Sequence, residues 1–126
     1  MNIEAHRSKA ESIERSLSRC TVADYETVVE GCMLAGTHWF NIALHRTGLL
    51  PDDQDAMHAE FLTVAQRRKV GVALPAALAA LDVIEWLRAP YVRGDLEGGE
   101  QAAERALASL AALRHAALQS LSPSSG

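Results

Sequence analysis

Residues 3–20 place Ile3, His6, Ala10, Ile13, Leu17 and Cys20 on a heptad seam, while Arg7, Glu11 and Arg15 follow one another four apart on another face. This spacing predicts a narrow-striped outer helix. Thr21 followed by Asp24 reads as a variant capping box: a hydroxyl for the free amides and an acid in the positive first turn. A second helix is therefore expected over residues 21–47. Along it Tyr25, Val28, Val29, Cys32, Met33, Gly36, Phe40, Ala43 and Leu44 recur at helical spacing, and Leu34, Trp39 and Ile42 widen the apolar surface beyond one stripe. A helix so broadly apolar belongs at the centre of a bundle or in a dimer interface. Gly48 supplies its stop.

Pro51 suits the first turn of a third helix, with Asp52, Asp53 and Asp55 favourably placed against its dipole. Met57, Phe61, Leu62 and Val64 or Ala65 give it a thin apolar face, and Arg67, Arg68 and Lys69 before Gly71 read as a basic last turn and a glycine stop. Pro75 opens a fourth helix with Leu78, Leu81, Ile84 and Leu87 facing inward, and Pro90 ends it. Residues 91–99 read as a connection. A last helix over residues 100–121 carries Ala103, Ala106, Leu107, Leu110, Leu113, Ala117, Leu118 and Leu121 on one face. No alternation of strand type and no internal repeat is found. The expected fold is all-α: a single-domain up-and-down helical bundle of four main helices plus one shorter element over residues 1–121, with a flexible C-terminal tail at 122–126.

Composition narrows the function classes more than it names one. The 126 residues allow one ordinary domain, and 12 basic against 16 acidic residues give a net charge of -4, which argues against broad electrostatic capture of nucleic acid or an anionic membrane. Cys20 and Cys32 have no Cys-x-x-Cys spacing and read as buried small hydrophobes in a reducing compartment. Charges throughout the first twenty residues interrupt any signal-peptide core, and no apolar run is long enough for a membrane span, so a cytoplasmic protein is expected.

The chemistry-bearing residues are few. His38, Asn41 and His45 form a polar stripe across the apolar second helix. They read as structural hydrogen-bonding groups, as a ligand pocket, or as part of a metal site. The i to i+7 spacing separates the two histidines by about 10.5 Å along the axis, too far for both to bind one ion easily, but His58 can approach His45 across the turn after Gly48. His6 and His115 match no motif. There is no Glu-x-x-His pair, phosphate loop, nucleophile elbow or His-Glu-x-x-His, and Asp82, Glu85 and Arg88 read as an ion-paired face. Arg67, Arg68 and Lys69 form a basic run, read either as a solvated helix end or as a weak nucleic-acid contact. Arg88 and Arg93 flank Pro90 and Tyr91, an arrangement that can bind phosphate and stack a base.

The stretch Cys-Met-Leu-Ala-Gly-Thr-His-Trp-Phe-Asn-Ile-Ala-Leu-His-Arg-Thr-Gly-Leu at residues 32–49 resembles the second helix of HEPN-type domains (higher eukaryotes and prokaryotes nucleotide-binding). The segment ending in residues 88–94 is similar to the late part of some bacterial members. The resemblance implies a four- to five-helix bundle, often homodimeric, related to RNA-cleaving toxins or to partners of small nucleotidyltransferases. Nuclease members carry an arginine four to six residues before a histidine, and none of His6, His38, His45, His58 or His115 has one. The implied function is a non-catalytic binding or partner module, without a cofactor, that binds a nucleotide or RNA or pairs with a nucleotidyltransferase. It would dimerise through its second or last helix. The residues expected at a ligand site are His38, Asn41, His45, Tyr91 and Arg93. Two alternatives stand beside it: a metal-dependent bundle enzyme using His38 or His45 with His58, and a nucleic-acid accessory module using Arg67, Arg68, Lys69 and Arg93.

Overall fold

One helix, apolar on nearly every side, organises the architecture. The structure, a computed structural model, describes residues 1–56 and 62–120. It consists of α1 (Ile3–Leu17), α2 (Tyr25–Arg46), α3 (Val64–Ala73), α4 (Pro75–Arg88) and α5 (Gly99–Gln119), with a 3-10 turn at Val22–Asp24 and a π turn at Ala89–Arg93. No strand occurs among the described residues. The protein is an all-α helical bundle. The expected tail at 122–126 and the apolar face expected from Met57 and Phe61 lie outside the described residues.

Local chemistry explains most boundaries. Asn2 caps α1 by accepting from the Ala5 amide at 2.8 Å. Thr21 and Asp24 exchange both bonds of a capping box, but they close the 3-10 turn, and α2 begins one residue later. Arg88 at the end of α4 pairs with Glu30 near the start of α2, whereas Arg46 at the end of α2 donates to the Ala117 carbonyl at the end of α5. Thus α5 runs parallel to α2, and α4 antiparallel to it. Gly36 sits where α2 meets Leu81, Ile84 and Leu113. A Cβ on Gly99 would lie 2.5 Å from the Tyr25 ring, so the start of α5 approaches α2 as closely as only glycine permits.

The breadth of the apolar surface on α2 is used inside the chain. Val28, Val29, Cys32, Met33, Ala35, Trp39, Phe40, Ile42, Ala43 and Leu44 are all buried against α1, α4 and α5. Leu34 is the large apolar residue of α2 left in solvent, at 56% exposure. The central-helix expectation holds, and a dimer formed through α2 or α5 would have to use Leu34, or Leu107 and Leu118, instead of the buried set.

Three boundaries differ from expectation. Pro51 opens no helix: residues 51–56 form a turn followed by an irregular segment, because Asn41 captures both backbone groups of Ala56, as described below. The short helix does not stop at Gly71. It starts later, capped by Thr63 and Gln66, and runs to Ala73, so Arg67, Arg68 and Lys69 lie in its middle and Pro75 beyond Leu74 marks its end. Pro90 does not break the chain out of helix either. The backbone widens into a π turn, closed by the Gly94 amide on the Ala89 carbonyl at 2.9 Å, which admits the proline ring.

Candidate metal centre

The site begins with Asn41, buried in the C-terminal half of α2 among apolar neighbours. A buried amide must find partners, and the loop after α2 supplies them. Asn41 Nδ2 donates to the Thr37 carbonyl at 2.9 Å and to the Ala56 carbonyl at 2.7 Å, and the Ala56 amide donates back to Asn41 Oδ1 at 2.7 Å. This bracket ties Ala56 to α2 and sets its neighbour, Asp55, over the junction of α1 and α2.

Three side chains converge there. His6 reaches in from the first turns of α1 and His45 from the last turn of α2, and both are buried. The Asp55 Oδ1 lies 2.8 Å from His6 Nε2 and 2.9 Å from His45 Nε2. These three ligand atoms all lie within 4.8 Å of one another, the one such His/Cys/Asp/Glu group among the described residues. Around a tetrahedral zinc ion with bonds near 2.05 Å, neighbouring ligand atoms stand about 3.3 Å apart. The two Nε2–Oδ1 edges would widen by about half an ångström to admit an ion among the three atoms.

The hydrogen inventory points the same way. His45 Nδ1 lies 3.2 Å from the Leu50 carbonyl, an acceptor, so this nitrogen carries hydrogen and the lone pair of a neutral ring falls on Nε2. Yet Nε2 faces Asp55. Burial would raise that carboxyl, but hydrogen bonds from His6, the N-terminal ammonium and His45 outweigh it and hold it at about 2, ionised at neutral pH. With Asp55 ionised, His45 Nε2 either carries a second proton and donates to the carboxylate or, as a free lone pair, shares a cation with it. A carbonyl that fixes the far nitrogen of a histidine is also the usual second layer of a metal site.

His38 forms the next layer. Its Nδ1 lies 2.9 Å from His6 Nδ1, so it touches the cluster through His6, as the seven-residue spacing from His45 requires. Burial lowers both imidazoles. For His6, the nearby Asp55 works against that shift; for His38, the charge on His6 adds to it. The N-terminal ammonium of Met1 meets Asp55 Oδ2 at 3.1 Å on the outer side.

A cavity of about 360 Å³ adjoins the cluster. His6, His38, Asn41 and Asp55 line its polar end, Met33 and Leu34 its middle, and the Glu30–Arg88 ion pair its far end. Its volume lies in the range of small-molecule sites. A more open groove of about 430 Å³ lies by α1 and α5, where Glu14 is taken up by Trp39 Nε1 at 2.6 Å and by Arg114.

Of the residues expected from the sequence, His38, Asn41 and His45 are gathered here. Tyr91 and Arg93 are not: they sit in the π turn near the start of α2, Tyr91 half-buried beside Gly98 and Arg93 exposed. Twenty residues of helix, about 30 Å, separate that end of α2 from His45. Arg67, Arg68 and Lys69 are exposed on α3, with Arg67 paired to Asp82. His58, the third histidine of the metal alternative, lies outside the described residues. His6 and Asp55, which no sequence motif marks, complete the cluster. The one signal for His6 was its position on an otherwise apolar seam.

No protein family, curated protein or solved structure matches the chain. The likeness to HEPN-type domains therefore rests on residues 32–49 and 88–94, and function must be argued from the site.

Proposed function

We propose that the protein is a metal-dependent enzyme of the bundle type in which His6 Nε2, His45 Nε2 and Asp55 Oδ1 hold one divalent transition-metal ion. The observation that carries this reading is the convergence of two buried imidazoles on one ionised carboxylate oxygen, with the far nitrogen of His45 against a carbonyl. Two histidines and one carboxylate suit zinc, cobalt or ferrous iron, and three protein ligands leave positions for water or substrate. His6 and Asp55 also line the cavity, so those positions open toward it. The metal would act as a Lewis acid, lowering the pKa of a bound water or polarising a substrate oxygen. This replaces the His38/His45/His58 ligand set with one drawn from three separate segments.

The non-catalytic HEPN-like module is the competing reading, in which the same cluster only pins the loop after α2 to α1. Metal content separates the two. Elemental analysis of the purified protein, with calorimetric titration of the metal-stripped form, is expected to give one zinc, cobalt or iron per chain. Asp55→Asn and His45→Gln should weaken binding by at least about 100-fold while the far-ultraviolet spectrum stays helical. Absence of stoichiometric binding, or affinity indifferent to both substitutions, would leave the binding-module reading in its place.

A further inference from the structure

We infer that the cavity selects a small linear ligand with a metal-coordinating oxygen group at one end, an aliphatic body and a cationic end. The inference rests on the metal reading and adds the chemistry of what approaches the ion. Along α2 the cavity runs from Asn41 and His38 past Leu34 and Met33 to Glu30. From His38 to Glu30 is eight residues, about 12 Å of helix, the reach of a six-carbon chain together with its end groups.

The far end has a definite sign. Glu30 is 40% exposed, whereas Arg88 is only 19% exposed. Arg88 holds Oε1 of Glu30 closely at 2.6 Å, but Oε2 only at 3.4 Å, so this oxygen keeps acceptor capacity toward the opening. The next groove, of about 450 Å³, shares Glu30 and Leu34 with the cavity and adds Glu26, Thr27 and Val92. Glu26 and Glu30 stand one turn apart on the same face, and Arg88 offsets one of them. The trough therefore passes from a cationic metal end, over apolar Met33 and Leu34, to an end whose lining residues carry two carboxylates against one guanidinium. An alkylammonium complements it, while a carboxylate would meet Glu26 and Glu30 across the opening.

The test uses zinc-loaded full-length protein, its zinc content confirmed by elemental analysis, and three probes that coordinate zinc alike: hexanohydroxamic acid, 6-aminohexanohydroxamic acid and the monohydroxamate of adipic acid. Calorimetry is expected to show the ammonium probe binding about tenfold tighter than the neutral one and the carboxylate probe weakest. Glu26→Gln, which leaves the Arg88 pair intact, and Glu30→Gln should each narrow the gap between the ammonium and neutral probes at least about threefold. Equal affinities, or the carboxylate probe binding tightest through Arg88, would overturn the inference while leaving the metal centre standing. Failure to load zinc would remove both.

Discussion

Replacing Asn41 by alanine tests how the loop is held over the cluster. The side chain satisfies the amide and the carbonyl of Ala56, each at 2.7 Å and out of solvent. Each buried backbone group left without a partner costs about 1–3 kcal/mol, so the pair sets a loss of about 2–6 kcal/mol, reduced to the extent that water enters the gap. For a domain of this size that corresponds to a fall in Tm of about 8–23 °C. Because Asp55 adjoins the released residue, zinc affinity should fall with it, by about 10–100-fold as for loss of a second-layer support. Urea unfolding of metal-free protein reads the first quantity and zinc titration the second. A variant within about 1 kcal/mol of the parent and unchanged toward zinc would refute the claim that Asn41 positions the metal-binding loop.

Acid should act through two groups in metal-free protein. His6 faces Asp55, His45, His38 and the N-terminal ammonium, and its pKa is lowered from 6.5; its share of stability is present above that value and lost as pH falls below it, so the parent should lose urea resistance relative to His6→Gln. Asp55 is held at about 2 against an ordinary 3.8, so the advantage of the parent over Asp55→Asn should be full above pH 3.8 and vanish as pH approaches 2; an advantage that does not change between pH 5 and 2.5 would contradict it. Gly99→Ala drives a Cβ to 2.5 Å from the Tyr25 ring and should cost about 1–3 kcal/mol in thermal or urea unfolding. Cys32 is buried and its thiol is pushed up to about 12 by burial and then by Glu14, so a thiol reagent should titrate Cys20 alone in native protein and both cysteines after unfolding.

The parts of the fold readable in the sequence are those decided within a few residues. The breadth of apolar positions on α2, the Thr21–Asp24 box and the proline at Pro75 each act locally, and each marks a real feature of the chain. The segment after Pro51 misled because its aspartates have the composition of a helix start. What overrides that local preference is an amide fifteen residues earlier, Asn41, which no local rule connects to Ala56. The site divides the same way. His38, Asn41 and His45 stand out because they are polar on an apolar helix. His6 and Asp55 are separated by 49 positions, and only the packing of α1 against α2 makes them neighbours. The seven-residue spacing that argued against His38 and His45 sharing an ion is consistent with His38 touching the cluster through His6.

The most direct test of the central claim is a crystal structure of zinc-soaked protein with anomalous differences measured on both sides of the zinc edge. The account predicts one strong peak about 2.0–2.2 Å from His6 Nε2, His45 Nε2 and Asp55 Oδ1, with the remaining coordination facing the cavity. A map without a peak between these atoms, or with zinc held by His38 and His58 instead, would contradict it.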